Sequence, residues 1–321
     1  MKAIRVSAFG EPSVLELHEV PAPSPGPGQV LVRLHAAGVN PVEAYVRAGL
    51  YPGGLPPLPY TPGSDGGGVV ERSDDSSLAP GTRVYVTASL TGTYAEETLC
   101  PAGEVHLLPD SISFARGAAL GVPYGTAYWA LFKRALARAG ETLLIHGASG
   151  GVGLAALQLA RTAGLRVFGT AGTPEGMELV KEQGAEGAFN HKDPQYLDQI
   201  KAATNGRGLD VILEMLANQN LGKDLTLLGK RGRVIVIGSR GPVEIDPRHI
   251  MMHEADIRGM TLFSATAADR AEIYGHISAG LADGTLLPVI GAEIPLQEAA
   301  RAHEQIMTSS AKGKIVLKIA D

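Results

Sequence analysis

The chain of 321 residues contains one cysteine, Cys100. That excludes an intramolecular disulfide and any four-thiolate zinc lobe. Nothing cationic lies beside Cys100 in sequence, so it reads as a small buried side chain rather than a reactive thiol. Basic charge is also scarce: 28 Lys and Arg stand against 33 Asp and Glu, for a formal net charge of -5. This balance, without stretches that interleave basic and aromatic residues, does not favour nucleic acid as the main partner. No apolar run approaches the ~18 residues of a membrane span. Met1 to Val6 passes directly into strand-like alternation without the apolar centre of a secretory signal. The expectation is a cytoplasmic protein with no membrane partner.

Glycine and proline, by contrast, are plentiful, at 41 and 21 residues. Up to about residue 122 they break up short β runs, at Ala3 to Phe9, Val14 to Val20, Val30 to Val39, Gly66 to Glu71, Arg83 to Thr87 and His106 to Leu108. A β-rich unit with irregular loops follows from that pattern. From Pro123 short strands alternate with helices: Tyr124 to Ala139 reads as a helix, Thr142 to Ile145 as a strand and Val152 to Ala163 as a helix. Further strands are read at Arg166 to Thr170, Ala188 to Phe189, Val211 to Met215 and Val234 to Gly238, with a helix over Leu221 to Leu228. A last apolar stretch, Met260 to Phe263, is the candidate edge of the sheet. Alternation of this kind predicts an α/β fold with a doubly wound parallel sheet. The division reads as residues 1–122 for the β-rich domain, 123–265 for the doubly wound domain, and 266–321 returning to the first.

Between the strand Thr142 to Ile145 and the helix that follows lies HGASGGVG, His146 to Gly153. Written Ala148-x-Gly150-x-x-Gly153, it is the dinucleotide fingerprint with Ala for the first Gly, in the strand-to-helix context that the fingerprint requires. A bare main chain at Gly150 lets a diphosphate approach the helix start, where Gly151 and Val152 offer N–H groups and Ser149 a hydroxyl, while Gly153 allows close packing of helix on strand. The next strand ends in Ala171-Gly172-Thr173, with no carboxylate to hold a ribose 2′-hydroxyl. This leaves room for a 2′-phosphate and favours NADPH over NADH. His191, Arg240 and Lys181 are candidate cationic partners. Arg240 stands out because Gly238 to Gly241 follows a strand at the edge where such sheets bind ligands.

Nearly the whole chain resembles the medium-chain dehydrogenase/reductase superfamily, and within it the zeta-crystallin type of quinone oxidoreductase. The motifs that carry the resemblance include AAGVNPVEAYVRAG (Ala36 to Gly49), PYTPGSD (Pro59 to Asp65), GVPYGTAYWAL (Gly121 to Leu131), HGASGGVGLAA (His146 to Ala156), EMLAN (Glu214 to Asn218) and GRVIVIGSRG (Gly232 to Gly241). It implies a GroES-like catalytic domain formed by both chain ends, a Rossmann domain, and a cleft between them. At the positions where zinc-dependent relatives carry their ligands this chain has Asn40, Ser64, Asp65 and Val122. The implication is a zinc-free reductase of quinones or related conjugated carbonyls, with an enoyl or alkenal reductase as the alternative within the class. A nucleotide-binding protein that acts through single-stranded nucleic acid is a less favoured alternative.

By the same resemblance, the phosphates of NADPH meet Ser149, Gly150, Gly151, Val152 and Gly153, and the adenine end meets Gly172, His191 and Asn220. Ile237, Gly238, Ser239 and Arg240 line the coenzyme, and main-chain groups of Met260, Thr261 and Leu262 hold the carboxamide. Asn40, Tyr45 and Thr126 are the candidates for polarising the substrate, with Tyr45 also positioned to cap the nicotinamide and Tyr51 to touch substrate. Family members associate as homodimers or homotetramers, which is the expectation here.

Overall fold

The computed structural model describes residues 1–308 and 312–320. They fall into two compact units, one built from Met1–Val122 with residues 274–308 and 313–320, the other from Pro123–Ile273 with Lys312. The second crossing thus lies at residues 273/274, inside the helix Ala267–Ala282, where the sequence-based division placed it at 265/266.

In the first unit, β1 (Lys2–Val6) and β2 (Leu15–Glu19) form an antiparallel ribbon. The main sheet takes β3 (Gln29–Gly38), β4 (Gly66–Ser73), β5 (Arg83–Val86), β6 (Glu97–Pro101) and β7 (Val105–Leu107). Helix α1 (Pro41–Arg47) follows β3, with proline in its first turn, where the ring suits the backbone angle and no N–H partner is lost. β6 has no counterpart among the sequence-derived strands, because its five residues begin with polar Glu97 and Thr98 and offer little alternation. It pairs antiparallel with β3 and sets Cys100 opposite Val30. There Cys100 is fully buried among Val30, Val32, Val84 and Val105, and burial pushes its thiol up to about 12, so it packs as a small hydrophobe.

The second unit holds β8 (Thr142–Ile145), β9 (Arg166–Ala171), β10 (Gly187–Asn190), β11 (Leu209–Glu214), β12 (Leu228–Val236) and β13 (Asp256–Gly259). They form one parallel sheet in the order β10-β9-β8-β11-β12-β13. This is the doubly wound arrangement, with the order reversing between β8 and β11. Helix α2 (Gly151–Thr162) follows β8, and α3 (Ala217–Asp224) follows β11. The chain then returns to the first unit as β14 (Ile290–Pro295) and β15 (Lys314–Lys318), and β15 pairs antiparallel with β3. Both chain ends therefore build that unit.

Elements of the second unit also differ from the sequence-derived ones. The helix expected over Tyr124 to Ala139 runs Gly121–Tyr128 and then widens over Trp129–Arg134, where the amide of Ala135 reaches the carbonyl of Ala130 five residues back. Leu136 in a left-handed conformation ends it. The helix expected at Leu221 to Leu228 begins and ends earlier, and Leu228 already starts β12. The edge strand is Asp256–Gly259, while Met260 to Phe263 lies beyond it, since backbone pairing with β12 selects the segment rather than its hydrophobicity.

α2 lies close on β8: a Cβ at Gly153 would stand 2.5 Å from the carbonyl oxygen of Gly147 and 2.6 Å from Cα of Ala148. Backbone atoms at that distance cannot swing aside, so Gly153→Ala must push the helix outward. The expected loss is about 1–3 kcal/mol in a denaturant titration, and an unchanged midpoint would count against this packing.

Candidate active site

Apart from Tyr45, every segment assigned to the coenzyme follows the carboxyl end of a strand in the second unit. β8 leads into Ser149 to Gly153, β9 into Gly172, β10 into His191, β11 into Asn220, β12 into Ile237 to Arg240, and β13 into Met260 to Leu262. Parallel strands with helices returning on the faces bring all six carboxyl ends to one edge. Helix α2 begins at Gly150, extended at φ -86 and ψ 174, with no side-chain cap for its first-turn N–H groups. A twelve-residue helix opening on a bare glycine at that edge fits a diphosphate. Met260 is fixed by its amide to the carbonyl of Val236 at 3.1 Å, and Ile237 and Gly238 by their amides to the carbonyl of Glu214 at 2.9 and 3.3 Å. The backbone amide of Arg240 donates to Asn218 Oδ1 at 2.9 Å. Lys181 is exposed on the helix Pro174–Glu182.

Gly172 lies against His191 and Lys192: a Cβ there would meet His191 Nε2 at 2.9 Å and Lys192 Cε at 3.2 Å. Sequence reasoning named His191 but missed Lys192, for which adjacency to His191 was the available signal. Burial, then the charge of His146, holds the His191 imidazole below its ordinary pKa.

Beneath this edge lies a group that sequence reasoning did not single out. His146, Glu214 and Asp224 are buried, with their polar atoms within 4.8 Å of one another. His146 Nε2 stands 2.8 Å from Asp224 Oδ1 and 3.5 Å from Glu214 Oε2, and Nδ1 stands 3.2 Å from Thr170 Oγ1. Burial alone would lower the imidazole's pKa, but the charges of Asp224 and Glu214 outweigh it and the net shift is upward.

The first unit buries a second polar group around Asn40. Asn40 Nδ2 donates to Glu43 Oε1 at 3.1 Å and to Asp65 Oδ2 at 3.0 Å, and its Oδ1 accepts from Lys314 Nζ. Both amide hydrogens are thus committed to carboxylates. Glu43 also accepts from the Asn40 amide at 2.7 Å, Tyr94 Oη at 2.9 Å and the Ser64 amide at 3.3 Å. Asp65 Oδ1 accepts from the Val122 amide at 2.8 Å. Tyr94 gives its one hydroxyl hydrogen to Glu43, so His303, whose Nε2 is 3.1 Å from Tyr94 Oη, donates from that nitrogen. Burial keeps His303 neutral by lowering its pKa to about 3.

Asn40, Ser64, Asp65 and Val122, the residues expected from the resemblance to stand at the zinc-ligand positions, all take part in this group. No thiolate or imidazole is among them, and the Lys314 ammonium, 3.4 Å from Asp65 Oδ2, already supplies the positive charge. The set does not fit zinc. Burial raises the pKa of Glu43 to about 7 against the opposing pull of Lys314, and raises that of Asp65 as well. Of the remaining candidates, Tyr45 lies on α1 and is half-buried, Tyr51 lies in the loop that follows and is also half-buried, and Thr126 is buried in the helix Gly121–Tyr128 of the second unit.

Two family descriptions match the chain: "Alcohol dehydrogenase GroES-like domain" over residues 26–117 and "Zinc-binding dehydrogenase" over residues 151–277. Among curated proteins, the quinone oxidoreductase of Rattus norvegicus is 51% identical and that of Homo sapiens 50%, each match covering 99% of this chain and 97% of the relative. Among solved structures, an NAD-dependent alcohol dehydrogenase superposes with a TM-score of 0.93 at 28% identity over the full length of both chains. Escherichia coli quinone oxidoreductase complexed with NADPH superposes with a TM-score of 0.89 at 26% identity, covering 99% of this chain and all of that one.

Lys314 is the one cation hydrogen-bonded within the Asn40 group, so Lys314→Met leaves two buried carboxylates unpaired. The expected cost is about 3–5 kcal/mol at pH 8. Because Glu43 and Asp65 have raised pKa values in the folded state, the native protein retains protons that the unfolded chain has lost, and stability falls as pH rises from about 4.5 to about 7. Without Lys314 the fall should steepen, so the deficit shrinks toward pH 5. Urea titrations at pH 5, 6.5 and 8 check this, and a deficit independent of pH would refute it.

Proposed function

The chain belongs to the quinone oxidoreductase family, and from that membership we propose that it is an NADPH-dependent reductase of quinones and related conjugated carbonyls that works without a bound metal. The observation that carries this reading is the convergence of six strand ends on one edge, with a bare helix start at Gly150 and no carboxylate at the end of β9. When bound, NADPH supplies the hydride.

The chain's own residues bind and align it. Ser149 to Gly153 take the diphosphate, and Gly172, with His191 and Lys192 beside it, takes the 2′-phosphate. Asn220 serves the adenine end, Ile237 to Arg240 line the coenzyme, and the main chain of Met260 to Leu262 holds the carboxamide. Hydride addition leaves an oxyanion on the acceptor, which a fixed hydrogen-bond donor stabilises by a few kcal/mol. Asn40 has committed both amide hydrogens to Glu43 and Asp65, so it acts through them, and we assign the donor to the hydroxyls of Tyr45 and Thr126. Tyr45 also caps the nicotinamide and Tyr51 contacts substrate.

The reading includes zeta-crystallin-type membership, a cytoplasmic location, where a single reduced thiol such as Cys100 is stable, and self-association through the outer edge of β13. That strand ends the six-stranded sheet, and Met251, Met252 and Phe263, which flank it in sequence, are exposed at 75%, 78% and 67%. Exposed apolar side chains next to a strand edge favour pairing with a second copy.

Loss of NADPH absorbance on addition of a simple quinone tests the activity, and its absence across a panel of quinones and enones would sink it. Gly172→Asp sets a carboxylate beside His191 and Lys192 and should reduce the NADPH-over-NADH ratio of kcat/KM about 10- to 100-fold. In light scattering, Met252→Glu with Phe263→Glu should shift the protein to the monomer mass, whereas an unchanged mass would place the interface elsewhere.

A further inference from the structure

We propose that His146, Asp224 and Glu214 form a coenzyme-positioning unit that holds more protons when NADPH is bound than when it is absent. The proposal rests on the coenzyme reading above. Its geometric basis is reach: hydrogen bonds from His146 and Glu214 run to segments assigned to the coenzyme or to the residues that lead into them. His146 Nδ1 meets Thr170 Oγ1, which also accepts the Gly147 amide of the glycine turn at 3.2 Å. Glu214 Oε1 accepts from the Leu216 amide and from Asn220 Nδ2, the latter at 3.2 Å. The main-chain carbonyl of Glu214 holds Ile237 and Gly238. The turn, the end of β9, Asn220 and the loop after β12 are therefore tied to one buried group.

That group is short of a proton. One imidazole, whose protonated form Asp224 and Glu214 favour, faces two carboxylates whose side chains are fully buried, and Glu214 Oε2 and Asp224 Oδ2 have no hydrogen-bond partner. An uncompensated buried charge is costly, and a proton shared between the two carboxyl groups removes it while satisfying both oxygens. Burial, reinforced by Asp224 and opposed by His146, raises the pKa of Glu214 to about 7, so the proton is partly lost near neutral pH. Lys223 on α3, Tyr196 on the helix Tyr196–Ala203, and His191 after β10 are the other titratable groups that interact with the trio, and Lys192 stands beside His191. A polyanionic coenzyme above the group opposes its deprotonation, so binding should draw a proton in, and affinity should fall as pH rises through about 7.

Calorimetry of the full chain with NADPH at pH 7.5, in two buffers of different ionisation enthalpy, counts the protons taken up. We expect uptake of roughly 0.3 to 1 proton and a Kd that weakens about 3- to 10-fold from pH 6.5 to 8.5. Both effects should flatten in Glu214→Gln, and in Asp224→Asn if the first variant does not fold. A role in packing alone would leave the proton count unchanged. NADPH bound with zero uptake by the unmodified protein overturns the proposal by itself. So does uptake that survives in Glu214→Gln but disappears in His191→Asn, since the proton would then belong to His191. Absence of NADPH binding at every pH overturns the functional reading and this inference together.

Discussion

The approach of helix α2 to strand β8 governs the second unit. With only hydrogen at the Gly153 Cα, the first turn of the helix rests on the carbonyl of Gly147 and on Ala148. That contact fixes the glycine turn, and the turn fixes two further things. It delivers the uncapped N–H groups of α2 to the carboxyl edge of the sheet, and it sets His146 at the end of β8, where its ring points toward Asp224 and Glu214. The start of α2 and His146, one member of the buried trio, therefore belong to a single backbone turn.

The two units solve a similar electrostatic problem in different ways. Each buries two carboxylates around one cation: Glu43 and Asp65 around Lys314 in the first, Glu214 and Asp224 around His146 in the second. In the first unit Glu43 receives four hydrogen-bond donors, and Asn40 joins both carboxylates through its amide. Every acceptor named there has a donor, although burial still raises the pKa of both carboxyl groups. In the second, one oxygen of each carboxylate has no donor. On that difference rests the proposal that the second group exchanges a proton with its surroundings. Burial acts alike in both places, raising Glu43 and Glu214 each to about 7, and the two groups differ in the number of donors their carboxylates receive.

The misfit of the Asn40 group to zinc follows from the same arrangement. Where a thiolate or imidazole would bind a metal, this chain offers an amide and a carboxylate already engaged with an ammonium. In the proposed function, carbonyl polarisation then falls to neutral donors, which suits acceptors that are already activated by conjugation better than simple alcohols or ketones.

The sequence by itself determined the features that depend on neighbours along the chain. His146 to Gly153 carries its strand, turn and helix within a dozen residues, and the alternation that follows Pro123 requires a parallel sheet whatever packs on it. The missing acidic residue after β9 was legible in the same local way. The sequence left β6 unseen, because its pairing with β3 and not its own pattern makes it a strand. Only the tertiary structure decided the charge groups. Lys314 lies 249 residues from Asp65, and Asp224 lies 78 residues from His146. No spacing along the chain announces such a meeting. Burial turns a surface-type residue into part of a site, and burial is a property of the assembled layers, not of the segment that carries the residue.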